Sequence, residues 1–241
     1  MAKNELTGKT GNPASLDKSS KADIESFLDR AQQIQPSDGA NGRLLFALDA
    51  TMSRQRTWDR ACTLQAGMFE EAGKVSGLDI QLIYFRGYSE CRSSKWVSDA
   101  KRLRDLMTRI DCRGGHTQIT KVLAHAIKET RRKKVQALVF VGDCMEEKAD
   151  DLCMRAGELG LLGVPVFVFQ EGHDADAEPT FREIARLTNG AYFRFDNAAA
   201  KHLGDLLRAI AVYAAGGRKA LQNLRGESAQ SAQQLLTQMK P

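Results

Sequence analysis

Residues 43–53 have the sequence RLLFALDATMS, and this stretch decides the predicted fold. Its first half, residues 44–48, is an unbroken apolar run. A run without alternation of polar and apolar residues is typical of a strand buried on both faces of a parallel sheet. The run ends abruptly at Asp49, and Thr51 and Ser53 follow at alternate positions. The stretch therefore predicts a central strand with an acid and two hydroxyls at its carboxyl end.

The polar residues after this strand are suited to binding a hard cation. In open α/β sheets, ligands bind in the crevice beyond the carboxyl ends of the strands. Asp49, Thr51 and Ser53 would supply oxygen donors there, and oxygen donors are what Mg²⁺ and Mn²⁺ prefer. The same three residue types also cap helices, so an ordinary junction between a strand and a helix is the alternative interpretation of these residues alone.

The rest of the chain alternates apolar runs with segments of helical periodicity. Because parallel strands need crossover connections, this alternation predicts an α/β fold: a doubly wound, mostly parallel, six-stranded sheet with helices on both faces. Segment 90–97 is polar and follows a turn at Gly87, which predicts one antiparallel edge strand. The strands are predicted at 43–49, 80–85, 90–97, 137–141, 164–169 and 191–195, and the helices at 56–76, 99–110, 119–134, 149–162, 181–187 and 198–214.

Four regions are predicted along the chain. Residues 1–19 are polar and predicted to be disordered, and residues 20–40 are predicted to form an N-terminal helix and linker. The main α/β domain is expected at 41–215, followed by a helical tail at 216–241. Because glycines and a proline mark the junctions, we expect both flanks to lie outside the core and to serve docking, so that residues 40–216 would fold alone.

Composition and charge restrict the class of protein. The chain has 241 residues, a net charge of +5 and a pI near 9.0, which are ordinary values for a mildly basic globular protein. The five scattered cysteines form no Cys-x-x-Cys pair, so we expect free thiols and a cytoplasmic location. The polar N-terminus and the absence of any long apolar run predict neither a signal peptide nor a membrane span.

Two later segments bring further oxygen donors to the same edge of the predicted sheet. A double glycine at 114–115 precedes Thr117, and the apolar strand 137–141 is followed by Asp143. Together with Asp-x-Thr-x-Ser at 49–53, this order of motifs resembles the metal-ion-dependent adhesion site of the von Willebrand factor A domain. The usual first motif of that family is Asp-x-Ser-x-Ser, and the threonine found here keeps the hydroxyl donor.

The resemblance covers about residues 43–214 and implies a role for each matching residue. Thr51 and Ser53 would bind the ion directly through their hydroxyls, and Thr117 directly or through water. Asp49 and Asp143 would hold coordinated waters. An Mg²⁺ or Mn²⁺ ion with neutral direct ligands stays electrophilic, so its open position would attract an Asp or Glu carboxylate of a partner protein.

The function implied by the resemblance is a metal-dependent protein–protein interaction module of intracellular bacterial type, with an ATPase or chaperone system as a possible partner. The sequence contains no recognised catalytic motif, so an enzyme is not favoured. Glu146 and Glu147, close to Asp143, are interpreted as a solvated helix start.

Two alternative functions remain open at the sequence level. One is a Mg²⁺-dependent phosphohydrolase with His116 as acid or base, although Thr51 stands where an aspartate-nucleophile phosphatase has its second acid. The other is nucleic-acid binding, which depends only on the basic balance and the run 131–134, and is not favoured.

Overall fold

The core of the protein is one six-stranded sheet with the strand order β3-β2-β1-β4-β5-β6. All neighbouring strands are parallel except β2 and β3, which are antiparallel, so β3 is the antiparallel edge strand. The predicted fold class is thus confirmed. The strands are β1 (Gly42–Asp49), β2 (Leu78–Arg86), β3 (Glu90–Ser93), β4 (Ala137–Gly142), β5 (Val166–Glu171) and β6 (Ala191–Phe195).

The computed structural model describes residues 41–54, 77–195 and 200–239, all within the compact unit Pro36–Pro241. The predictions of a disordered segment at 1–19, a helix at 20–35 and a helix at 56–76 lie outside the described residues.

Six α-helices of the described residues cover the two faces of the sheet. Alternate residues of β1 point to opposite faces: Leu44 and Phe46 join one apolar cluster, and Leu45 and Ala47 join the other. No helix in the described part of the chain has the length and apolarity needed to cross a bilayer. The helices are α1 (Ala100–Met107), α2 (Ile119–Arg132), α3 (Ala149–Leu161), α4 (Ala177–Leu187), α5 (Ala200–Gln222) and α6 (Ala229–Gln238).

Three predicted elements differ from the observed ones by four or more residues at one end, and one of them is α4, which begins at Ala177 instead of at 181. Strand β3 ends at Ser93, and the chain beyond it stays beside β2 through the Ser94 N–H, which donates to the Leu82 carbonyl (2.8 Å), and through an isolated bridge between Val97 and Ile80. Helix α5 continues past the predicted end at 214 as far as Gln222 and is interrupted at Gly217, where φ is +69°. The break predicted at this double glycine is thus confirmed, and a second helical segment follows it.

The C-terminal tail packs on the sheet, which corrects the expectation that it lies outside the core. Leu221, Leu235 and Met239 are buried in the apolar cluster that also contains Leu44 and Phe46. The error arose because the tail has few apolar positions, and their spacing does not show which surface they cover. The tail is therefore structural cover for one face of the sheet.

The sheet topology fixes where a site can form. In the sheet, β1 lies between β2 and β4. The chain passes from β1 to β2 and β3 on one side and then continues with β4 on the other side, so the strand order reverses between β1 and β4. Leu48 is paired with Val141 in the parallel register, which places the carboxyl ends of β1 and β4 side by side. In open α/β folds this switch point is where ligands bind.

Candidate metal centre

The acid and hydroxyls that follow β1 form one hydrogen-bonded group. Asp49 is fully buried, and its Oδ1 accepts hydrogen bonds from the Thr51 backbone N–H (2.8 Å) and the Thr51 hydroxyl (2.6 Å). The Thr51 Oγ1 lies 3.0 Å from the Oγ of the exposed Ser53. The alternate spacing seen in the sequence thus brings the three residues together in a tight turn.

Asp49 and Asp143 each carry a buried oxygen that is unsatisfied by the described residues. These atoms are Asp49 Oδ2 and Asp143 Oδ1, for which the described residues supply no hydrogen-bond partner. A ligand oxygen from each carboxylate and the Cys144 sulfur all lie within 4.8 Å of one another. Buried polar atoms are nearly always satisfied in folded proteins, so two orphaned oxygens on neighbouring carboxylates fit a bound cation.

Burial dominates the electrostatics of Asp49. It raises the pKa of Asp49 from 3.8 to about 6, and the nearby Asp143 carboxylate acts in the same direction. The hydrogen bonds from Thr51 and the positive charge of Arg54 act in the opposite direction but do not cancel the effect of burial. In the absence of a cation, ionisation of Asp49 therefore lowers the stability of the folded state.

Replacing Asp49 by asparagine should stabilise the metal-free protein at neutral pH. The folded-state pKa lies above the unfolded value of 3.8, so stability is lost as the pH rises through about 6. A shift of this size corresponds to about 3 kcal/mol at pH 7, and Asn retains an acceptor for Thr51. Urea unfolding in chelator should show Asp49→Asn more stable than wild type at pH 7, with a smaller difference at pH 4.

The exposed Asp150, at the start of α3, provides the matched control for this experiment. Asp150→Asn should leave the free energy of unfolding within about 0.5 kcal/mol of wild type at both pH values. If Asp49→Asn is instead less stable than wild type at pH 7, the folded protein itself stabilises the ionised Asp49 carboxylate.

Cys144 is a neighbour of the carboxylate pair that sequence reasoning did not assign to the site. Its thiol is half-buried and lies beside Asp143 and Ser53. Burial, reinforced by the charges of Asp143 and Asp49, raises its pKa to about 12, so the thiol is protonated when no cation is present. Its position directly after Asp143 was the only signal of this role in the sequence.

Thr117 is buried, but no hydrogen bond among the described residues joins it to the other four predicted ligands. Its hydroxyl donates to the Glu147 carboxylate and accepts from the backbone N–H of Glu146 (2.9 Å). Its own N–H donates to the Glu146 carboxylate (2.8 Å), and the N–H of Thr120 donates to Glu147 (3.0 Å). The two glutamates therefore hold the Thr117 loop and the first turn of α2, which corrects their interpretation as a solvated helix start.

The double glycine before Thr117 serves a close contact within the chain. A Cβ added at Gly115 would lie 2.0 Å from the carbonyl oxygen of Gly87, so this position has no space for a side chain. The N–H of His116 also donates to Gly87 (3.2 Å), and Arg113 donates its N–H to the carbonyl of Ala50 (3.1 Å). The glycine loop is thus fastened to the turn after β2 and to the loop after β1.

Arg54 is a buried residue that links two strand ends, a role that the sequence did not indicate. Its guanidinium donates to the backbone carbonyl of Asp49 (2.7 Å) and to the Glu171 carboxylate at the end of β5 (3.0 Å). The side chain is almost completely inaccessible. By linking the ends of two strands, Arg54 fixes the backbone from which the Asp49 carboxylate projects.

Two exposed apolar side chains lie on loops at this end of the sheet. Met52 is 53% exposed, within the turn between Thr51 and Ser53, and Tyr88 is 79% exposed. The Tyr88 ring packs edge-on against the ring of His116, with a centroid distance of 5.3 Å. Met52 and Tyr88 are thus accessible to another molecule at the end of the sheet where β1 and β2 terminate.

The basic run 131–134 is largely engaged within the chain. Arg131 pairs with Glu158 (2.6 Å), Arg132 pairs with Glu129 (3.0 Å), and the Lys134 ammonium donates to the carbonyls of Leu162 (2.5 Å) and Gly163 (2.8 Å). These contacts give the run a structural role at the C-terminal ends of α2 and α3.

No protein-family model and no curated protein matches the chain. Solved structures do match it. The aerotolerance-related membrane protein of Bacteroides fragilis NCTC 9343 is 19% identical, with a TM-score of 0.55, over 69% of this chain and 98% of that one. The von Willebrand factor type A protein of Catenulispora acidiphila is 15% identical, with a TM-score of 0.59, over 73% of this chain and 43% of that one.

The SpRpn10 VWA domain is 10% identical, with a TM-score of 0.57, over 69% of this chain and 95% of that one. At such identities the likeness concerns the backbone alone. Two of these structures are named as von Willebrand factor A domains, and their backbones match this chain over about 70% of its length. The chain therefore has the von Willebrand factor A fold.

Proposed function

We propose that this domain is a protein-interaction module that binds Mg²⁺ or Mn²⁺ through Asp49, Thr51, Ser53, Thr117 and Asp143. The observation that carries the proposal is the pair of buried carboxylate oxygens, Asp49 Oδ2 and Asp143 Oδ1, which have no partner among the described residues at the switch point of the sheet. A divalent cation would remove the cost of burying these charges.

The hydroxyl groups have the bonding capacity that such an ion requires. A hydroxyl has one proton to donate and two lone pairs. The Thr117 hydroxyl uses its proton on Glu147 and one lone pair on the Glu146 N–H, which leaves the second lone pair for a cation. Thr51 donates its proton to Asp49, so its oxygen likewise keeps the capacity to bind metal.

The ion would supply an attachment point for an acidic group. Hydroxyl ligands are neutral, and carboxylates that act through water neutralise an ion less than direct ones do. A carboxylate from a partner protein would therefore gain a direct ionic bond in a partly desolvated crevice. Met52 and Tyr88 would add apolar contact around that bond.

The observed contacts favour this function over the two alternatives. Thr51 occupies the place where a phosphatase of the aspartate-nucleophile type needs an acid, and its hydroxyl is used in the turn with Asp49. Three residues of the basic run 131–134 are engaged within the chain, which removes the specific feature behind a nucleic-acid function. The described cysteines form no disulfide with one another, which fits the proposed reducing, cytoplasmic location.

Calorimetric titration of the full chain with Mg²⁺ and with Mn²⁺ tests the metal site. We expect a binding isotherm for wild type and none for Asp143→Asn, because the substitution removes one of the two orphaned carboxylates. Asp150→Asn, at an exposed position on α3, should bind as wild type does. Equal binding by Asp143→Asn and wild type would place the ion elsewhere.

Affinity capture from the native host tests the interaction itself. A partner, such as an ATPase or chaperone system, should be retained with Mg²⁺ and released by EDTA, and Thr117→Ala should reduce its retention. A partner that stays bound in EDTA would recognise another surface.

A further inference from the structure

The Cys144 sulfur lies beside the two carboxylates that each carry an unsatisfied oxygen. One ligand atom each from Asp49, Asp143 and Cys144 lies within 4.8 Å of the others. Asp49 is completely buried, and its Oδ2 has no hydrogen-bond partner among the described residues. The cysteine is therefore one member of a built group and does not stand alone.

We propose that Asp49, Asp143 and Cys144 form a direct ligand set for Zn²⁺. This inference rests on the proposed function in that both place a cation between the two aspartates, but it depends on a different donor, the sulfur. Zinc takes carboxylate and thiolate ligands together, usually four in a tetrahedron, with Zn–S near ~2.3 Å and Zn–O near ~2.0–2.2 Å. Ligand atoms around such an ion are roughly 3.5 Å apart, so the observed cluster needs only small side-chain adjustments.

Sulfur chemistry explains why zinc is the ion to expect. Mg²⁺ is a hard ion that prefers oxygen, whereas thiolates select softer ions such as Zn²⁺. When zinc binds, the Cys144 S–H bond breaks, its proton passes to solvent, and the sulfur lone pair forms the S–Zn bond. Ser53, beside Cys144, or a water would complete the coordination.

Zinc and magnesium would exclude each other, because both use Asp49 and Asp143. Three direct anionic ligands exceed the charge of Zn²⁺, whereas Mg²⁺ held by hydroxyls and waters keeps its attraction for an incoming carboxylate. The zinc-loaded domain is therefore the form that does not accept the acidic group of a partner, and zinc would act as a competitive regulator of the site.

Cobalt substitution in the full chain tests for the sulfur ligand directly. Co²⁺ occupies zinc sites, and a thiolate bound to it gives an intense near-ultraviolet charge-transfer band that oxygen ligands do not give. We expect this band in wild type, its loss on adding Zn²⁺, and its absence in Cys144→Ser. The Zn²⁺ affinity of Cys144→Ser should fall by more than about tenfold, since even outer-shell partners typically contribute about 10–100-fold.

Cys153 provides the matched control, because this half-buried thiol also has acidic neighbours, Asp150 and Glu183. Cys153→Ser should keep the band. A missing band in wild type, or a band that persists in Cys144→Ser, would overturn the zinc inference. If Mg²⁺ still binds in that case, the proposed function stands without zinc; if the cobalt band appears while Mg²⁺ gives no isotherm, the zinc site stands and the Mg²⁺ proposal falls.

Discussion

A chain that ends at residue 216 should fail to form a stable fold. It would lack Leu221, Leu235 and Met239, which are buried against the sheet. Burying side chains of this size contributes about 1.5–3 kcal/mol each, so their loss removes roughly 5–9 kcal/mol. Because whole domains are stable by only about 5–15 kcal/mol, we expect the shortened chain to be insoluble or molten, with loss of near-ultraviolet circular dichroism.

Point variants separate the role of packing from that of chain length. Leu235→Ala should lower the free energy of unfolding by about 2–5 kcal/mol, because the side chain is fully buried. Leu161→Ala removes a side chain that is 92% exposed and should change it by less than about 0.5 kcal/mol. A shortened chain that unfolds cooperatively, at a denaturant concentration close to that of the full chain, would show that the tail only rests on the sheet.

Replacing Glu129 by alanine should destabilise the fold by about 3–5 kcal/mol. The Glu129 carboxylate accepts hydrogen bonds from Arg43 on β1 (2.8 Å), from the indole of Trp96 (3.1 Å) and from Arg132 (3.0 Å). The Arg43 guanidinium is buried and lies 3.7 Å above the Trp96 ring. Removing the carboxylate leaves a buried positive charge without its counterion, and that desolvated charge is what makes the loss large.

The exposed pair of Arg131 and Glu158 provides the matched comparison. Both pairs join an arginine to a glutamate, but Arg131 is 66% exposed, so its partner is screened by water. Glu158→Ala should lower the free energy of unfolding by at most about 1 kcal/mol. Urea unfolding of both variants checks this contrast. If Glu129→Ala lowers the free energy of unfolding no more than Glu158→Ala does, water solvates Arg43 when the Glu129 carboxylate is absent.

The framework of the fold could be predicted because its strands are short apolar runs with abrupt ends. Residues 44–48 have no polar side chain to face solvent, so a buried parallel strand was the favoured structure. Because β1 and β4 are neighbouring parallel strands, Asp49 and Asp143 lie close together at the carboxyl ends of these strands. The structure bears this out, since a ligand oxygen from each lies within 4.8 Å of the other.

The parts that escaped prediction depend on long side chains and on distant surfaces. Arg54 reaches from the loop after β1 to Glu171, and nothing in either local sequence indicates that contact. Glu147 caps α2 although it precedes α3, so its local position suggested the wrong helix. The burial of Leu235 could not be predicted for a similar reason, because the apolar face of an amphipathic helix does not show which surface it packs against.

The packing of α6 has a consequence for the behaviour of the protein at high concentration. Strand β6 is an outer strand of the sheet, and outer strands present unpaired N–H groups on which other molecules can add strands. The side-chain oxygen of Gln238 accepts the N–H of Tyr192 (2.8 Å), so α6 occupies the place of an incoming strand. At the opposite margin β3 has only four residues and carries the charged, exposed Arg92. Both edges of the sheet are thus protected against the addition of strands from other molecules. When α6 detaches from the sheet, the protection of β6 is lost.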